Sequence, residues 1–151
     1  WFRSDPDFGM RAVLYVVAMV VVTDVAAYFS GRLIGGPKIW PRLSPKKTWA
    51  GLIGAMIATA AAGALFARWV PGAVPIKLAM QGSALAVIAQ IGDFAESALK
   101  RKFGTKDASG LIPGHGGFMD RVDGLVTASV IAALFAAYLN VHSPARALLQ
   151  W

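Results

Sequence analysis

The 151 residues include no cysteine, which excludes disulfides, thiolate metal centres and thiol nucleophiles together. Acidic residues are scarce as well, eight against fifteen Lys and Arg, leaving a net charge of +7. In a soluble protein that balance would suggest nucleic acid. Here 56% of residues are hydrophobic and the mean hydropathy is +0.55, so the placement of charge matters more than its sum. A lipid bilayer is the expected surroundings, and no nucleic-acid partner is expected. The chain also lacks an initiator methionine, and Arg3, Asp5 and Asp7 follow Trp1 closely. That start fits no signal peptide and is expected of a fragment of a longer protein.

What the chain has in quantity is long apolar runs. Four stretches, near 11–29, 50–70, 76–96 and 122–140, approach the roughly 20 residues needed to cross a bilayer. A backbone in hydrocarbon must satisfy its own hydrogen bonds, so the expected fold is all-α: a polytopic transmembrane helical bundle with about four spans. Residues 1–151 read as one membrane portion, with polar loops near 30–49 and 98–121. Gly51, Ala55, Thr59 and Gly63 recur every four residues in the second span, a spacing that lets helices approach closely.

The basic residues orient the bundle. Arg32, Lys38, Arg42, Lys46 and Lys47 occupy the first polar loop, and Lys100, Arg101, Lys102, Lys106 and Arg121 the second, ten of fifteen in all. The positive-inside rule makes both loops cytoplasmic and sets the tail "HSPARALLQW" on the opposite side. Attraction to anionic headgroups is the plainer use of such loops.

Acids inside or beside the spans are costly unless paired or hydrated, which makes each a functional candidate. Gln90, Asp93, Glu96, Ser97 and Lys100 follow helical offsets of three and four and fall on one stripe. Ile91, Phe94, Ala95 and Leu99 are expected to face elsewhere. A buried seam between helices, or an Asp93–Lys100 pair, would also account for the stripe. Asp120 and Asp123 lie one turn apart at the expected start of the fourth span. Helix capping explains one acid there; a second at that spacing calls for a cation, either Arg121 or a divalent ion such as Mg²⁺, which takes oxygen ligands. The preceding "PGHGGF" is a glycine-rich turn whose amides are free to meet an anion. His115 within it can bond a phosphate or cap the turn, and His142 is assigned no function.

Ser97 to Asp123, "SALKRKFGTKDASGLIPGHGGFMDRVD", closely resembles the signature of the phosphatidate cytidylyltransferases, and every fixed position of that pattern is present. "DVAAYFSGRLIGG" and "LSPKKTWAG", with Ala50 where members commonly carry Glu, resemble the family's upstream elements. The resemblance implies transfer of a cytidylyl group from CTP to phosphatidic acid, releasing pyrophosphate. It implies a catalytic set of Asp93, Lys100, Arg101, Lys106, Asp107, His115, Asp120 and Asp123, with Asp93, Asp120 and Asp123 as metal ligands for Mg²⁺, and K⁺ as a second ion. Lys46, Lys47, Ser97, Lys100, Arg101, Gly116, Gly117 and Arg121 would bind substrate phosphates. Asp24 and Tyr28 are family-like, Asp24 being equally suited to support a basic loop residue. The resemblance also suggests a homodimer and a bacterial inner membrane, with the active site facing the cytoplasm. Two rivals differ in class: an ion transporter or channel subunit, and another CTP-dependent lipid enzyme such as a polyprenol kinase or an archaeal-lipid cytidylyltransferase.

Overall fold

The computed structural model describes residues 5–102 and 119–151, and the side chains of Lys100 and of residues 119–123 lie outside that description. Five helices carry the described fold: α1 (Gly9–Leu33), α2 (Trp49–Phe66), α3 (Pro75–Lys102), α4 (Met119–Leu139) and α5 (Pro144–Gln150). Among the described residues three segments are long and apolar enough to cross a membrane: Gly9–Leu33, Trp49–Trp69 and Pro75–Leu99. Gly124–Leu139 and Pro144–Gln150 qualify together as a fourth, bent by 93° at the break. The polytopic helical membrane bundle expected from the sequence is the observed architecture.

Local chemistry sets the helix ends. Asp5 holds the turn that leads into α1, its Oδ1 accepting from the amides of Asp7 (3.0 Å) and Phe8 (2.9 Å). The chain leaves α1 through Gly35 and Gly36, at φ +70° and +90°, where a side chain would be strained. Thr48 caps α2 by accepting from the Gly51 amide at 3.1 Å, which satisfies one orphan donor of the first turn. A single 3₁₀ turn (Ala67–Trp69) extends α2, and Pro75 and Pro144 open α3 and α5, where proline loses nothing by lacking an amide hydrogen.

The expected small-residue stripe is the buried face of α2: Gly51, Ala55, Thr59 and Gly63 are its buried residues. A Cβ added at Gly63 would overlap the Leu78 carbonyl of α3, and one at Gly82 would come within 2.5 Å of the Thr59 carbonyl. On the other flank, a Cβ at Gly51 would lie 3.0 Å from the Ala27 carbonyl of α1. Backbones this close exchange van der Waals contact where lipid offers no hydrophobic drive. Between α2 and α3, Ser83 donates to the Met56 carbonyl at 2.9 Å. Helix α4 meets α3 at Gly92, where a Cβ would overlap Thr127.

Two features depart from the sequence reading. Inside the first polar loop, β1 (Lys38–Trp40) and β2 (Ser44–Thr48) pair antiparallel, with Lys38 opposite Thr48 and Trp40 opposite Ser44. And the carboxy-terminal tail, for which the sequence reading named no helix, folds back as α5. Its Leu148 and Leu149 are fully buried with Tyr15, Met19 and Leu78, in the core that also holds Ala128, Ala132 and Ala136 of α4. Asn140 makes the sharp corner by accepting from the amides of His142 (2.9 Å) and Ser143 (3.4 Å). The apolar pair at 148–149 has more to gain from that core than from an interface. In the same region Tyr15 donates to the Leu78 carbonyl at 2.9 Å and meets Phe66 edge-on at 5.3 Å.

The α2 face supplies a test. Gly63→Val should lower stability by about 1–3 kcal/mol through overpacking, while Ala61→Val on the exposed side should stay within about 0.5 kcal/mol. Unfolding midpoints in detergent would measure both, and equal midpoints would refute the packing role of Gly63.

Candidate active site

One end of the bundle gathers charge. A cavity of about 240 Å³ lies where α1, β2, α2 and α3 meet, lined by Asp24 and Tyr28 of α1, Lys46 and Lys47 of β2, Thr48 and Gly51 at the head of α2, and Gln90 and Asp93 of α3. The amino-terminal cap of α2 positions the β2 lysines. Thr48 Oγ1 fits because positions 31 and 51 carry no side chain: a Cβ at Gly31 would stand 3.0 Å from it, and one at Gly51 3.2 Å. With Thr48 held there, Lys47 reaches across to α3 and forms a salt bridge with Asp93. Both side chains keep roughly a fifth of their surface exposed, 21% and 23%, so the pair is partly desolvated and open to solvent or ligand from one side. Lys47 Nζ also lies 4.8 Å from the centre of the Phe94 ring, within cation–π range.

The expected α3 stripe is observed in graded form. Gln90 is buried, and Asp93, Glu96 and Ser97 are half-buried, whereas Ile91, Ala95 and Leu99 are exposed. Phe94, expected to face away, instead approaches the Lys47 ammonium. Asp93 is paired with Lys47 across 46 residues; the alternative pair with Lys100 involves a side chain outside the described ones. A charge held by another element ties the elements together, which an intrahelical pair would not do.

The remaining expected site residues divide. Arg101 lies exposed near the end of α3. Lys100 lies on α3, and Asp120, Arg121 and Asp123 on the first turn of α4, but their side chains are outside the described ones. Lys106, Asp107, His115, Gly116 and Gly117 lie outside the described residues altogether. Among the described residues no three His, Cys, Asp or Glu cluster as metal ligands do. The fit of a metal therefore rests on what surrounds Asp93. A Cβ at Gly124 would stand 3.3 Å from Asp93 Oδ1, so the backbone just after Asp123 comes directly against that carboxylate. The first turn of α4, bearing two acids, thus ends beside Asp93, and an all-oxygen donor set suits a hard divalent cation.

Three contributors escaped the sequence reading: Thr48 as cap, Phe94 as the lysine's neighbour, and Gly124 as the point of close approach. The first had a signal, a threonine immediately before an apolar helical run. The other two depend on which helix packs where.

A family model described as "Cytidylyltransferase family" matches residues 1–139. The chain is 50% identical over 139 residues to a phosphatidate cytidylyltransferase of Brucella suis biovar 1 (strain 1330), covering 89% of this chain and 50% of that protein. It is 39% identical over 132 residues to one of Haemophilus influenzae, covering 84% and 46%, and 36% identical over 122 residues to one of Bacillus subtilis (strain 168), covering 80% and 45%. It spans about half the length of these relatives.

The cap is directly testable. Thr48→Ala should cost about 1 kcal/mol of stability, and Thr48→Ser far less, because serine keeps the accepting oxygen. Thermal unfolding of the two variants side by side would measure this; matched losses would mean that the hydroxyl is not the cap.

Proposed function

Because this chain belongs to the cytidylyltransferase family, we propose that the protein of which it is part transfers a cytidylyl group from CTP to phosphatidic acid. The products are CDP-diacylglycerol and pyrophosphate. The observation that carries this reading is the partly desolvated Lys47–Asp93 pair, set in a cavity with Lys46, Asp24 and Gln90 and approached by Gly124 of α4 at the Asp93 carboxylate. Carboxylates for a cation and ammonium groups for phosphates stand side by side, as phosphoryl-group chemistry requires.

In the proposed reaction a phosphate oxygen of the lipid forms a bond to the α-phosphorus of CTP, and the bond from that phosphorus to the bridging oxygen breaks. Pyrophosphate leaves with the electron pair. The lipid phosphate is already an anion, so no strong base is needed, and the protein's task is to position reactants and neutralise charge. Lys46 and Lys47 supply point charges for the triphosphate or the lipid phosphate, and Ser97 and Arg101 add donors further along α3. Lys47 is held by Asp93, which keeps its ammonium at the cavity. Asp93, with Asp120 and Asp123, would hold Mg²⁺. When bound, that ion stabilises charge on the attacking and leaving oxygens. K⁺ as a second ion and assembly as a homodimer belong to the same reading. So do a bacterial inner membrane and a cytoplasm-facing cavity: ten of fifteen basic residues fall in the two polar stretches 30–49 and 98–121, which the positive-inside rule assigns to the cytoplasmic side.

The deciding experiment incubates the full-length protein with CTP labelled at the α-phosphorus, phosphatidic acid and Mg²⁺, and follows label into chloroform-soluble lipid. Asp120→Asn should lower that incorporation by at least about a hundredfold while leaving the protein folded and membrane-inserted. Lys47→Met should raise the KM for a phosphate-bearing substrate. Absence of labelled lipid from the unmodified protein would overturn the reading, and free CDP together with a phosphorylated alcohol would identify a kinase instead.

A further inference from the structure

The β1–β2 hairpin has exposed features that the cavity does not use. Lys38 and Trp40 of β1 are both exposed, with half-buried Ile39 between them; Trp40 keeps 57% of its surface. Arg42 is exposed in the turn between the strands. Beside the hairpin, α1 ends on Leu33 and Ile34, which are 80% and 73% exposed, and α2 begins on Trp49, 48% exposed. From Val25 to Gly92 the sequence has no Asp or Glu at all, so no acid from these segments offsets Lys38 and Arg42.

Position gives this surface its surroundings. The hairpin joins α1 to α2, both long and apolar enough to cross a membrane, and therefore emerges at a bilayer face. Trp49 and Trp69 bracket the α2 span, 20 residues apart, or about 30 Å of helix, the thickness of the hydrocarbon core. Indole rings favour that boundary. A hairpin at the same level, with tryptophan and aliphatic side chains exposed beside unopposed cations, matches the layered chemistry of an anionic membrane surface: acyl chains and glycerol below, negative headgroups above.

We propose that the β1–β2 hairpin is an anionic-lipid docking surface, in which Trp40 seats in the interfacial layer while Lys38 and Arg42 hold negatively charged headgroups. Strand β2 continues into Lys46 and Lys47 at the cavity, so lipid held by the hairpin is concentrated beside that opening. The proposal stands apart from the reaction assigned above, because it concerns residues outside the cavity and requires no turnover.

The test reads lipid contact alone. This chain has no cysteine, so Trp40→Cys in the full-length protein, with any cysteine elsewhere replaced, carries one thiol for a bimane label. The labelled protein is reconstituted into vesicles containing equal mole fractions of brominated phosphatidylglycerol or brominated phosphatidylcholine. Both lipids should quench the label, the anionic one about threefold more strongly at low salt. Adding Lys38→Gln and Arg42→Gln should abolish the excess and keep the quenching common to both lipids. Both side chains are exposed, and an unchanged unfolding midpoint would confirm an intact fold. Absence of quenching by either lipid would overturn the proposal, since water or protein would then cover position 40. Equal quenching by the two lipids, or an excess that survives removal of both cations, would overturn it too.

Discussion

Everything at the charged end of this bundle depends on how closely α2 is approached by its two neighbours. A membrane helix gains little from hiding apolar side chains, since lipid is equally apolar, so association rests on contact between surfaces that fit. Gly51, Ala55, Thr59 and Gly63 make α2 narrow along one face. The carbonyls of Ala27 on α1 and Leu78 on α3 lie where side chains would otherwise stand. With α1 and α3 drawn against it, the head of α2 falls between them, and the residues just before that head are aimed at α3.

The electrostatics follow from this packing. Asp93 on a membrane helix needs a compensating charge, and Lys47 supplies it from a strand rather than a helix. A strand followed at once by a capped helix start is a stiff mount, because Thr48 both ends β2 and caps α2. Gly31 and Gly51 leave room for that cap. The ammonium is consequently presented at a fixed place on the cavity wall. Gly124 then brings α4 to the other side of the same carboxylate, so Asp93 is the point where α3, α4 and the hairpin come together.

The opposite end of the bundle has a different logic. There the chain turns through 93° and buries Leu148 and Leu149 against Tyr15, Met19 and Leu78. A small apolar core of this kind holds α1, α4 and α5 together, while the charged end stays open. Stability and chemistry are thus assigned to different ends, and substitutions within the closed core should be felt as loss of structure before loss of site geometry.

Much of this could be read from the sequence, for definite reasons. Helical membrane segments announce themselves because hydrocarbon leaves the backbone no alternative. The α2 stripe and the α3 stripe were legible because helical periodicity maps spacing onto faces. The α3 stripe singled out Asp93, and the family resemblance singled out Lys47 and the acids of α4 as residue types at fixed intervals. Partnership was not legible. That Asp93 meets Lys47, 46 residues away, depends on which elements pack together. The same holds for Phe94 beside the lysine and for Gly124 against the carboxylate. The hairpin and the buried α5 were missed because short polar or mixed segments carry weak local signals, and their conformation is decided by neighbours. Composition and periodicity determined the helices and their faces, since those follow from local geometry and solvent. Only the tertiary structure decided which charges meet, since close backbone approach between segments distant in sequence is a property of the assembled bundle.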